Sequence, residues 1–463
     1  MTSFEPPRPT EASKRSPLQQ LKGYLHSGLS MFREGSYAFT GISKNKTPKV
    51  PGLPDVINVS VREPAAIREM LVTRPQDFPK GRLVDQLLRK LTGYSIFVSN
   101  GEDWQRQRRI IDQAFTHAGV RVVFPLMQQA ALASLDRMRT SVGADLDADL
   151  EMTHFAGDVI FRTIYSEAMT AEQARVIFAA FDTFQAIAFR QGMLGSLGIP
   201  ISLLPSRFAA HRSARIIRRE LDAPLQRRLC AISNGDNVPD NDILSALLAA
   251  EDPETGTRFV GTELLDQIAM LFLAGHETSA AALGWTLYLL AHDQTVQQTL
   301  RNEVADVLGD RDPAFSDMKK LERTRNVFRE AMRLYPPVAF LSRDVRQDDT
   351  LAGHALPQGS AAVIPMWLMH RHQAHWQDPH VFNPGRFASK DHQHAIRHAY
   401  MPFSMGARVC VGAAFALQEA TLILTQIVRA FRILPVDGHV PEPVSRLTVR
   451  SANGIKIRLE PLQ

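Results

Sequence analysis

One cysteine stands in a setting that favours a metal-bound thiolate. Cys410 lies in the stretch Phe403-Ser-Met-Gly406-Ala-Arg408-Val-Cys410-Val-Gly412. The glycines let the backbone approach a flat or bulky group closely, and a helix that starts after the cysteine would lower the thiol's pKa through its free N–H groups and its dipole. A thiolate held in this way is a suitable axial ligand for haem iron, because it donates electron density that favours O–O cleavage.

A second set of polar residues interrupts a long apolar stretch. The pentapeptide Ala-Gly-His-Glu-Thr at 274–278 lies inside the otherwise apolar segment 264–291. A carboxyl and a hydroxyl buried there without partners would cost stability, so a solvated notch and a helix–helix hydrogen bond both remain open as simple explanations. The functional alternative is that the two small residues leave room for a flat cofactor, beside which Glu277 and Thr278 transfer protons.

A third segment pairs a carboxylate with arginines. Glu330 and Arg333 share a helix face, two prolines (Leu-Tyr-Pro-Pro at 334–337) end that helix, and Arg386 follows in Pro-Gly-Arg-Phe at 384–387. Taken alone, the Glu330–Arg333 spacing is typical of an ordinary surface pair worth a few tenths of a kcal/mol.

A fourth segment combines tryptophan with arginine. Ser99 and Glu102 have the spacing of a capping box, which predicts the start of a helix, and Trp104 and Arg108 then lie four residues apart on one face. An ordinary basic surface helix explains the same pattern.

Two weaker signals have simpler interpretations. Seven histidines lie from His370 to His398, including His392-x-His394-x-x-x-His398. No cysteine or carboxylate box accompanies them, so we expect a solvated loop rather than a metal site. The other cysteine, Cys230, is expected to be a small buried hydrophobe in a reduced compartment.

In this order, the four segments resemble the motifs of the cytochrome P-450 superfamily, in its soluble prokaryotic form. The stretch 403–412 is similar to the haem-binding signature Phe-x-x-Gly-x-Arg-x-Cys-x-Gly, and the resemblance covers roughly residues 50–463. It implies a haem b cofactor whose iron is bound by Cys410. The other haem-binding residues that it implies are Phe403, Gly406, Arg408, Gly412, Ala274, Trp104, Arg108 and Arg343.

The resemblance also implies roles for the polar residues. Thr278 would hydrogen-bond iron-bound dioxygen, and Glu277 would relay protons to it from solvent. Glu330, Arg333 and Arg386 would form a buried ion network that braces the cysteine loop.

The haem propionates are assigned by the same resemblance. Trp104 and Arg108 match the family's Trp-x-x-x-Arg motif, whose side chains donate to a propionate. Arg108, Arg408 and Arg343 would bracket the two propionates, and Arg343 is placed there only by its distance beyond the Pro-Pro break.

The elements that must position these residues are mostly helices. Alternating polarity predicts a short strand over 56–61, and Pro64 opens a helix. Helical patterns continue to about Tyr335, with a break at 192–205. Glycines and prolines then punctuate short runs that predict hairpins, and a last helix is expected over 411–431.

We therefore expect a mainly α protein with a minor β portion. The resemblance implies the triangular helical body of the cytochrome P-450 fold, with haem between the long central helix and the helix after the cysteine loop. Residues 1–45 are expected to be a loosely ordered N-terminal arm, and residues 46–463 a single haem-thiolate catalytic domain.

Composition excludes several classes of protein. The 463 residues are 44% hydrophobic and 22% charged with two cysteines, which rules out a disordered chain, a collagen-like fibre and a disulfide-rich secreted module. The net charge of +5 is too diffuse to indicate nucleic-acid binding. No signal peptide is recognised, and the polar residues within 264–291 make a transmembrane segment improbable, so we expect a cytoplasmic monomer.

The function implied is dioxygen-dependent hydroxylation of a lipophilic small molecule, such as a terpenoid, fatty acid, steroid or aromatic compound. By resemblance, the pocket is lined from 87–98, 181–204, 271–274, 338–341 and near Ser451. Since no flavin or iron–sulfur module fits in the chain, electrons from NAD(P)H would arrive through a ferredoxin or flavodoxin with its reductase. The alternatives are haem-thiolate coupling, desaturation or peroxide-driven chemistry, and a non-catalytic haem or ligand sensor.

Overall fold

Helices dominate the chain, as the apolar patterns predict. A computed structural model describes residues 4–9, 23, 25–31, 34–46 and 56–462. The helices are α1 Pro64–Arg68, α2 Arg82–Thr92, α3 Gly101–Ala114, α4 His117–Thr140, α5 Ala148–Tyr165, α6 Ala171–Ser196, α7 Ser206–Ser233, α8 Ile243–Ala249, α9 Thr262–His292, α10 Gln294–Leu308, α11 Glu322–Leu334, α12 Met366–Met369, α13 Gln393–Ala399 and α14 Ala413–Ala430. The strands are β1 Ile42–Lys46, β2 Ile57–Val61, β3 Asp145–Asp147, β4 Leu341–Asp344, β5 Asp349–Leu351, β6 His354–Leu356, β7 Ala361–Ile364, β8 Phe431–Pro435, β9 Pro443–Ser445, β10 Val449–Ser451 and β11 Lys456–Pro461.

The long apolar stretch forms α9, the central helix of the body. Its residues are buried on nearly every face, as expected for a helix that is apolar all round. It packs along α5 and contacts α2, α7, α11 and α14. α14 begins at Ala413 with Gly412 at its N-cap position, close to the predicted start at 411. The two helices that flank the site are therefore those that the sequence predicts.

The strands in the described residues form four small sheets. The largest has the order β1-β2-β7-β4, in which β2 and β7 run parallel and the other pairs antiparallel. β5 and β6 form a predicted hairpin at Gly353, whereas the run 361–367, expected to form a hairpin, is strand β7 followed by the short helix α12. β9 pairs with β10, and β11 lies between β3 and β8.

The described part of the N-terminal arm packs on the body. The ring of Phe4 stacks on His292 at 4.8 Å between centroids, and Tyr335 donates its hydroxyl hydrogen to the carbonyl of Pro7 at 2.8 Å. β1 pairs with β2 across the expected boundary at residue 45. These contacts hold the described residues of the arm to the body, and the division into an arm over 1–45 and a single domain over 46–463 stays a prediction. Residues 1–3, 10–22, 24, 32–33 and 47–55 of the predicted arm and boundary lie outside the described residues.

The predicted capping box at the start of α3 is also wrong. The helix begins at Gly101 after Asn100, with no side-chain cap. The hydroxyl of Ser99 instead donates to Gln107 Oε1 at 2.8 Å. A side-chain contact one turn further along the helix has replaced the local cap that the spacing with Glu102 predicts.

Two other local predictions need correction. α6 continues to Ser196, so the expected break at 192–205 reduces to a short connection before α7. Cys230, expected to be buried, is exposed on α7, because it lies on the solvent-facing side of the helix with Gln226 and Arg227.

By length and composition, one of the described helices, α4, is apolar enough to cross a membrane. Half of its most apolar window is buried inside the fold, where it packs against α5 and α14. The core helices of globular proteins pass the same test.

Candidate active site

A largely apolar cavity lies between α9 and the loop that carries Cys410. Its apolar lining includes Ile96, Phe97, Ile160, Met270, Leu271, Val338, Leu341 and Met366. Its polar or charged lining consists of Lys80, Trp104, Arg108, Thr278, Ser279, Ser404, Arg408 and Cys410. The fourth sequence segment, which lies on α3, and the cysteine stretch thus meet the second segment, on α9, at this cavity.

The loop before α14 places Cys410 in the cavity wall. The backbone N–H of Cys410 donates to the carbonyl of Phe403 at 2.9 Å and closes the loop. Gly406 has a φ of +72°, and a Cβ there would overlap the carbonyl oxygen of Leu71. Glycine is therefore required at this position so that the loop can lie against the turn after α1.

The thiol of Cys410 differs from the sequence expectation in its pKa. Burial raises the pKa above the ordinary value, and the Gly412 N–H and the positive charges of Arg108 and Lys80 oppose this only in part. The helix start that was expected to lower the pKa is outweighed by the desolvation of the sulfur among nearby protein atoms, although Cys410 borders the open cavity and is accessible from it. A thiolate here needs a bound cation, and a metal ion supplies one.

The middle of α9 faces the same cavity. Ala274, Gly275 and Thr278 line it. The Thr278 hydroxyl donates to the carbonyl of Ala274 at 2.6 Å, four residues earlier in the helix. A Cβ on Gly275 would lie 3.1 Å from the side chain of Ile160, so this glycine also allows the close packing of α9 on α5.

Glu277 is not part of the cavity lining. Its carboxylate is buried and accepts hydrogen bonds from Arg450 at 2.7 and 3.0 Å and from the Thr448 hydroxyl at 2.5 Å. Arg450 also binds Asp149 at 2.7 Å. Burial alone would raise the pKa of Glu277, but the charge and hydrogen bonds of Arg450 outweigh it and lower the pKa. The structure does not bring the Glu277 carboxylate together with the Thr278 hydroxyl, so a proton relay between them stays a prediction.

Positive side chains gather at one wall of the cavity. The Arg408 guanidinium lies 4.2 Å from the centre of the Trp104 ring, and its buried Nη1 has no hydrogen-bond partner among the described residues. Arg108 lines the same wall and pairs with Asp112 at 2.7 Å. Arg343 is buried beside this group without lining the cavity, and burial lowers its pKa to about 10.

Lys80 belongs to this group and was not predicted. Its ammonium lies 4.0 Å from the centre of the Phe97 ring and lines the cavity. Burial lowers its pKa well below the ordinary value, and the charges of Arg343 and Arg408 lower it further. A single lysine in an irregular segment forms no sequence motif. The position of Lys80 in the cavity wall is therefore evident only from the structure. The group has an excess of positive charge and fits an anionic ligand.

Glu330, Arg333 and Arg386 meet in the core. Glu330 lies 2.7 Å from Arg333 and 3.3 Å from Arg386, and all three side chains are almost completely buried. Arg333 also donates to the carbonyl of His370 at 2.9 Å and to that of Pro379 at 2.7 Å. These bonds tie α11 to the irregular segment that leads to the cysteine loop.

The histidine-rich stretch is only partly the solvated loop that we expected. His370 is fully buried, and its Nε2 accepts the Met401 N–H at 3.0 Å. His394 and His398 lie with ring centroids 4.5 Å apart. No cluster of histidine, cysteine or carboxylate side chains suited to a metal ion is found in the described residues.

Comparison with known proteins agrees with this geometry. The family model described as cytochrome P-450 matches residues 56–458. Cyclooctatin synthase of Streptomyces melanosporofaciens is 30% identical over 83% of each chain, and pentalenene oxygenase of Streptomyces avermitilis is 31% identical over 86% of each chain. The crystal structure of the cytochrome P-450DA haem domain superposes with a TM-score of 0.81 at 23% identity, covering 100% of this chain and 98% of that one.

Proposed function

Because the chain belongs to the cytochrome P-450 family and is a monooxygenase of that family, we propose that it hydroxylates a lipophilic small molecule with dioxygen and electrons from separate proteins. The observation that carries the proposal is the presence of Cys410 and Thr278 in the wall of one apolar cavity. One residue is suited to bind a metal and the other to handle a proton.

The cavity fits the haem that the family implies. A porphyrin is flat and apolar with two carboxylates, and the cavity combines an apolar lining with an excess of buried cations. When bound, haem supplies the iron that activates dioxygen. Cys410 would bind that iron.

The surrounding residues would hold the rest of the group. Arg408, Arg108 and Lys80, with Trp104, would bind the carboxylates, since charge-assisted bonds to arginine are strong. Arg343 does not line the cavity, so we propose no direct bond from it to a carboxylate. Its positive charge would add to the electrostatic attraction of the carboxylates. The residues that would leave room for the flat porphyrin ring are Phe403, Gly406, Gly412 and Ala274.

Thr278 is the side chain best placed to move a proton. Its hydroxyl is bonded to the helix carbonyl of Ala274, and rotation about χ1 would present it to the cavity. Glu277 would replenish the proton only after leaving Arg450. Thr278 and Ser279 are the only polar side chains among the described α9 residues that line the cavity, so few other side chains could supply a proton there.

The substrate class follows from the lining. Since Ile160, Met270, Leu271, Val338 and Phe97 offer apolar surface and no ionic partner, the substrate is a lipophile, and terpenoid, fatty acid, steroid and aromatic compounds remain the candidates. A relative is named pentalenene oxygenase, so pentalenene is the first compound to test. A ferredoxin or flavodoxin with an NAD(P)H-dependent reductase is the proposed electron source, in the cytoplasm.

The direct test compares Cys410→Ser with Cys230→Ser. The first variant should lose the thiolate signature in the spectrum of the reduced, carbon monoxide-bound protein and lose product formation, because no thiol remains in the cavity wall. The second removes an exposed thiol and should keep both. A compound panel, read by the spectral shift on displacing iron-bound water, then identifies the substrate. A persistent signature in Cys410→Ser would overturn the assignment.

A further inference from the structure

One buried arginine has no hydrogen-bond acceptor. Arg371 lies in the turn after α12 and is 1% exposed. Among the buried arginines that the structure describes, it is the one whose three guanidinium nitrogens all lack a hydrogen-bond partner. Arg333, by contrast, binds Glu330 and the carbonyl of Pro379. Buried polar groups are almost always hydrogen-bonded, so an exception of this extent calls for a physical cause, such as a bound ion.

Aromatic rings cover the faces of this guanidinium. Its central carbon lies 3.7 Å from the centre of the Trp367 ring and 5.5 Å from that of Tyr335. At the shorter distance the guanidinium must lie flat on the indole, because a nitrogen turned towards the ring would overlap it. Such contacts offset part of the cost of burying the charge. They act through the face of the group, so the N–H groups at its edge still lack acceptors.

The neighbouring polar groups are also hydrogen-bond donors. The ring of His380 lies edge-on to that of Tyr37 with 4.9 Å between centroids, and both its nitrogens are buried without a partner among the described residues. The Tyr37 hydroxyl accepts the Trp367 indole N–H at 3.1 Å, and its own hydrogen has no acceptor in the described part of the chain. Guanidinium, imidazole and phenol therefore offer N–H and O–H groups to an acceptor that these side chains do not include.

The charges that act on this group are positive. Burial lowers the pKa of Arg371 to about 9, and the charges of Arg333 and Arg8 lower it further. Burial also lowers the pKa of His380 to about 3, with contributions from the same three arginines. Arg8 is 3.8 Å from Glu5, whose side chain is 57% exposed. No carboxylate of the described residues compensates the charge of Arg371 in the interior.

We propose that Arg371, His380 and Tyr37 form a binding site for a chloride ion beneath the N-terminal arm. A halide accepts N–H and O–H bonds from several directions and supplies the negative charge that the group lacks. The arm lies over the site, because the carbonyl of Pro7 accepts the hydroxyl hydrogen of Tyr335, whose ring contacts Arg371. The bound ion would therefore hold the arm to the body of the protein.

The same features argue against other occupants. A water molecule would accept the N–H bonds but leave the charge of Arg371 uncompensated in an interior without an acid, which is costly. A carboxylate or a phosphate supplies the charge but needs more space. Tyr37, Trp367 and Tyr335 are 5%, 0% and 0% exposed, so the group is enclosed, and a monatomic ion is the anion that needs the least room.

Thermal unfolding of the full-length, haem-loaded protein tests the proposal. Potassium chloride is compared with potassium gluconate at equal concentration, since gluconate is too large for the enclosed group. Chloride should raise the Tm by about 1–2 °C at about ten times its dissociation constant, and the rise should saturate. Arg371→Met fills a similar volume without charge or N–H groups and should lose this rise. Tyr37→Phe removes one donor and should move saturation to higher chloride concentrations.

The matched control is Arg228→Met. Arg228 is also buried, but it binds Asp242 and the carbonyl of Tyr165, each at 2.8 Å. This variant should have a lower Tm and keep the full rise with chloride. An equal rise in Arg371→Met, or a rise in the wild type that grows with salt without saturating, would overturn the proposal.

Crystals of the wild type grown in potassium bromide provide a test that does not depend on any variant folding. Bromide scatters anomalously and should give a peak within hydrogen-bond distance of the Arg371 guanidinium. Ordered water there without an anomalous peak would overturn the proposal. Neither the unfolding nor the crystallographic readout involves turnover, so failure here leaves the proposed function untouched.

Discussion

The carboxylate of Glu277 is bound by the guanidinium of Arg450 at 2.7 Å, although the two residues are 173 positions apart in the chain. This buried pair joins the central helix α9 to the C-terminal hairpin of β9 and β10. Arg450 also binds Asp149 on α5, so one cation serves two carboxylates. The pair gives Glu277 a structural role alongside the catalytic one proposed for it.

The first prediction separates these roles. Arg450→Met should destabilise the protein by about 3–5 kcal/mol, because it leaves two carboxylates buried without a cation. Glu277→Gln should cost less, since Arg450 keeps Asp149. Thermal unfolding of the haem-loaded protein measures both.

The control for this prediction is Arg458→Met. Arg458 pairs with Asp145 at 2.6 Å, but both side chains are almost half exposed, and such a pair contributes about 0–1 kcal/mol. If Glu277→Gln kept wild-type product formation per NAD(P)H consumed, the relay assignment would be wrong and the structural role alone would remain.

The second prediction concerns Thr278. Thr278→Ala should lower product formation on the order of a hundredfold and raise peroxide release, because the cavity loses its hydroxyl for proton transfer. Thr278→Ser should restore much of the activity. Product and peroxide formed per NAD(P)H are the quantities to measure.

Thr286 offers a matched control in the same helix. Its hydroxyl donates to Ala282 at 2.6 Å, the same bond that Thr278 makes to Ala274, but it is buried away from the cavity. Thr286→Ala should leave the ratio of product to peroxide unchanged. Equal uncoupling in both variants would show that the helix bond matters rather than the hydroxyl in the cavity.

The sequence predicts the parts of the site that local patterns encode. α9 and α14 follow from continuous apolar patterns, and the fold class follows from the balance of helical and hairpin signals. Thr278 could be selected because its hydroxyl lies inside an apolar stretch, and Cys410 because glycines, Arg408 and a helix start surround it.

Other parts of the site depend on contacts between distant segments. No sequence spacing connects Glu277 with Arg450. The sequence of α9 alone therefore could not predict that Arg450 binds the Glu277 carboxylate outside the cavity. Lys80 has no motif, and its significance comes from neighbours that fold against it. The cap expected from Ser99 failed because Gln107 competes for the same hydroxyl.

The third prediction tests the buried network of Glu330. Glu330→Ala should yield little haem-loaded protein and cost about 3–5 kcal/mol, since Arg333 and Arg386 would stay buried without a counter-charge. The yield of haem per chain after expression is the readout. Glu172→Ala is the control, because Glu172 pairs with Arg175 on an exposed surface. A normal haem yield from Glu330→Ala would contradict the bracing role.

The fourth prediction concerns pH and His276. This side chain is almost fully buried on α9, stacked on Phe178 and Phe272 at 5.0 and 5.5 Å, and neither ring nitrogen has a hydrogen-bond partner among the described residues. Burial lowers its pKa to about 4; the charge of Glu277 opposes this and that of Arg450 adds to it. The imidazole of His276 is therefore neutral in the folded state over a pH range in which the same ring is protonated in the unfolded chain.

The sign of the effect follows from this difference. As the pH falls below about 6.5, His276 becomes protonated in the unfolded state but stays neutral in the folded state until about pH 4. The free energy of unfolding therefore declines by up to about 1.4 kcal/mol per pH unit over this range. His276→Phe keeps the ring stacking and removes the titration, so its unfolding free energy should fall less steeply between pH 6.5 and 4 than that of the wild type. His354→Phe, at an exposed position, should keep the wild-type slope. Denaturant unfolding at a series of pH values measures the slopes, and parallel slopes for His276→Phe and the wild type would show that another group governs acid sensitivity.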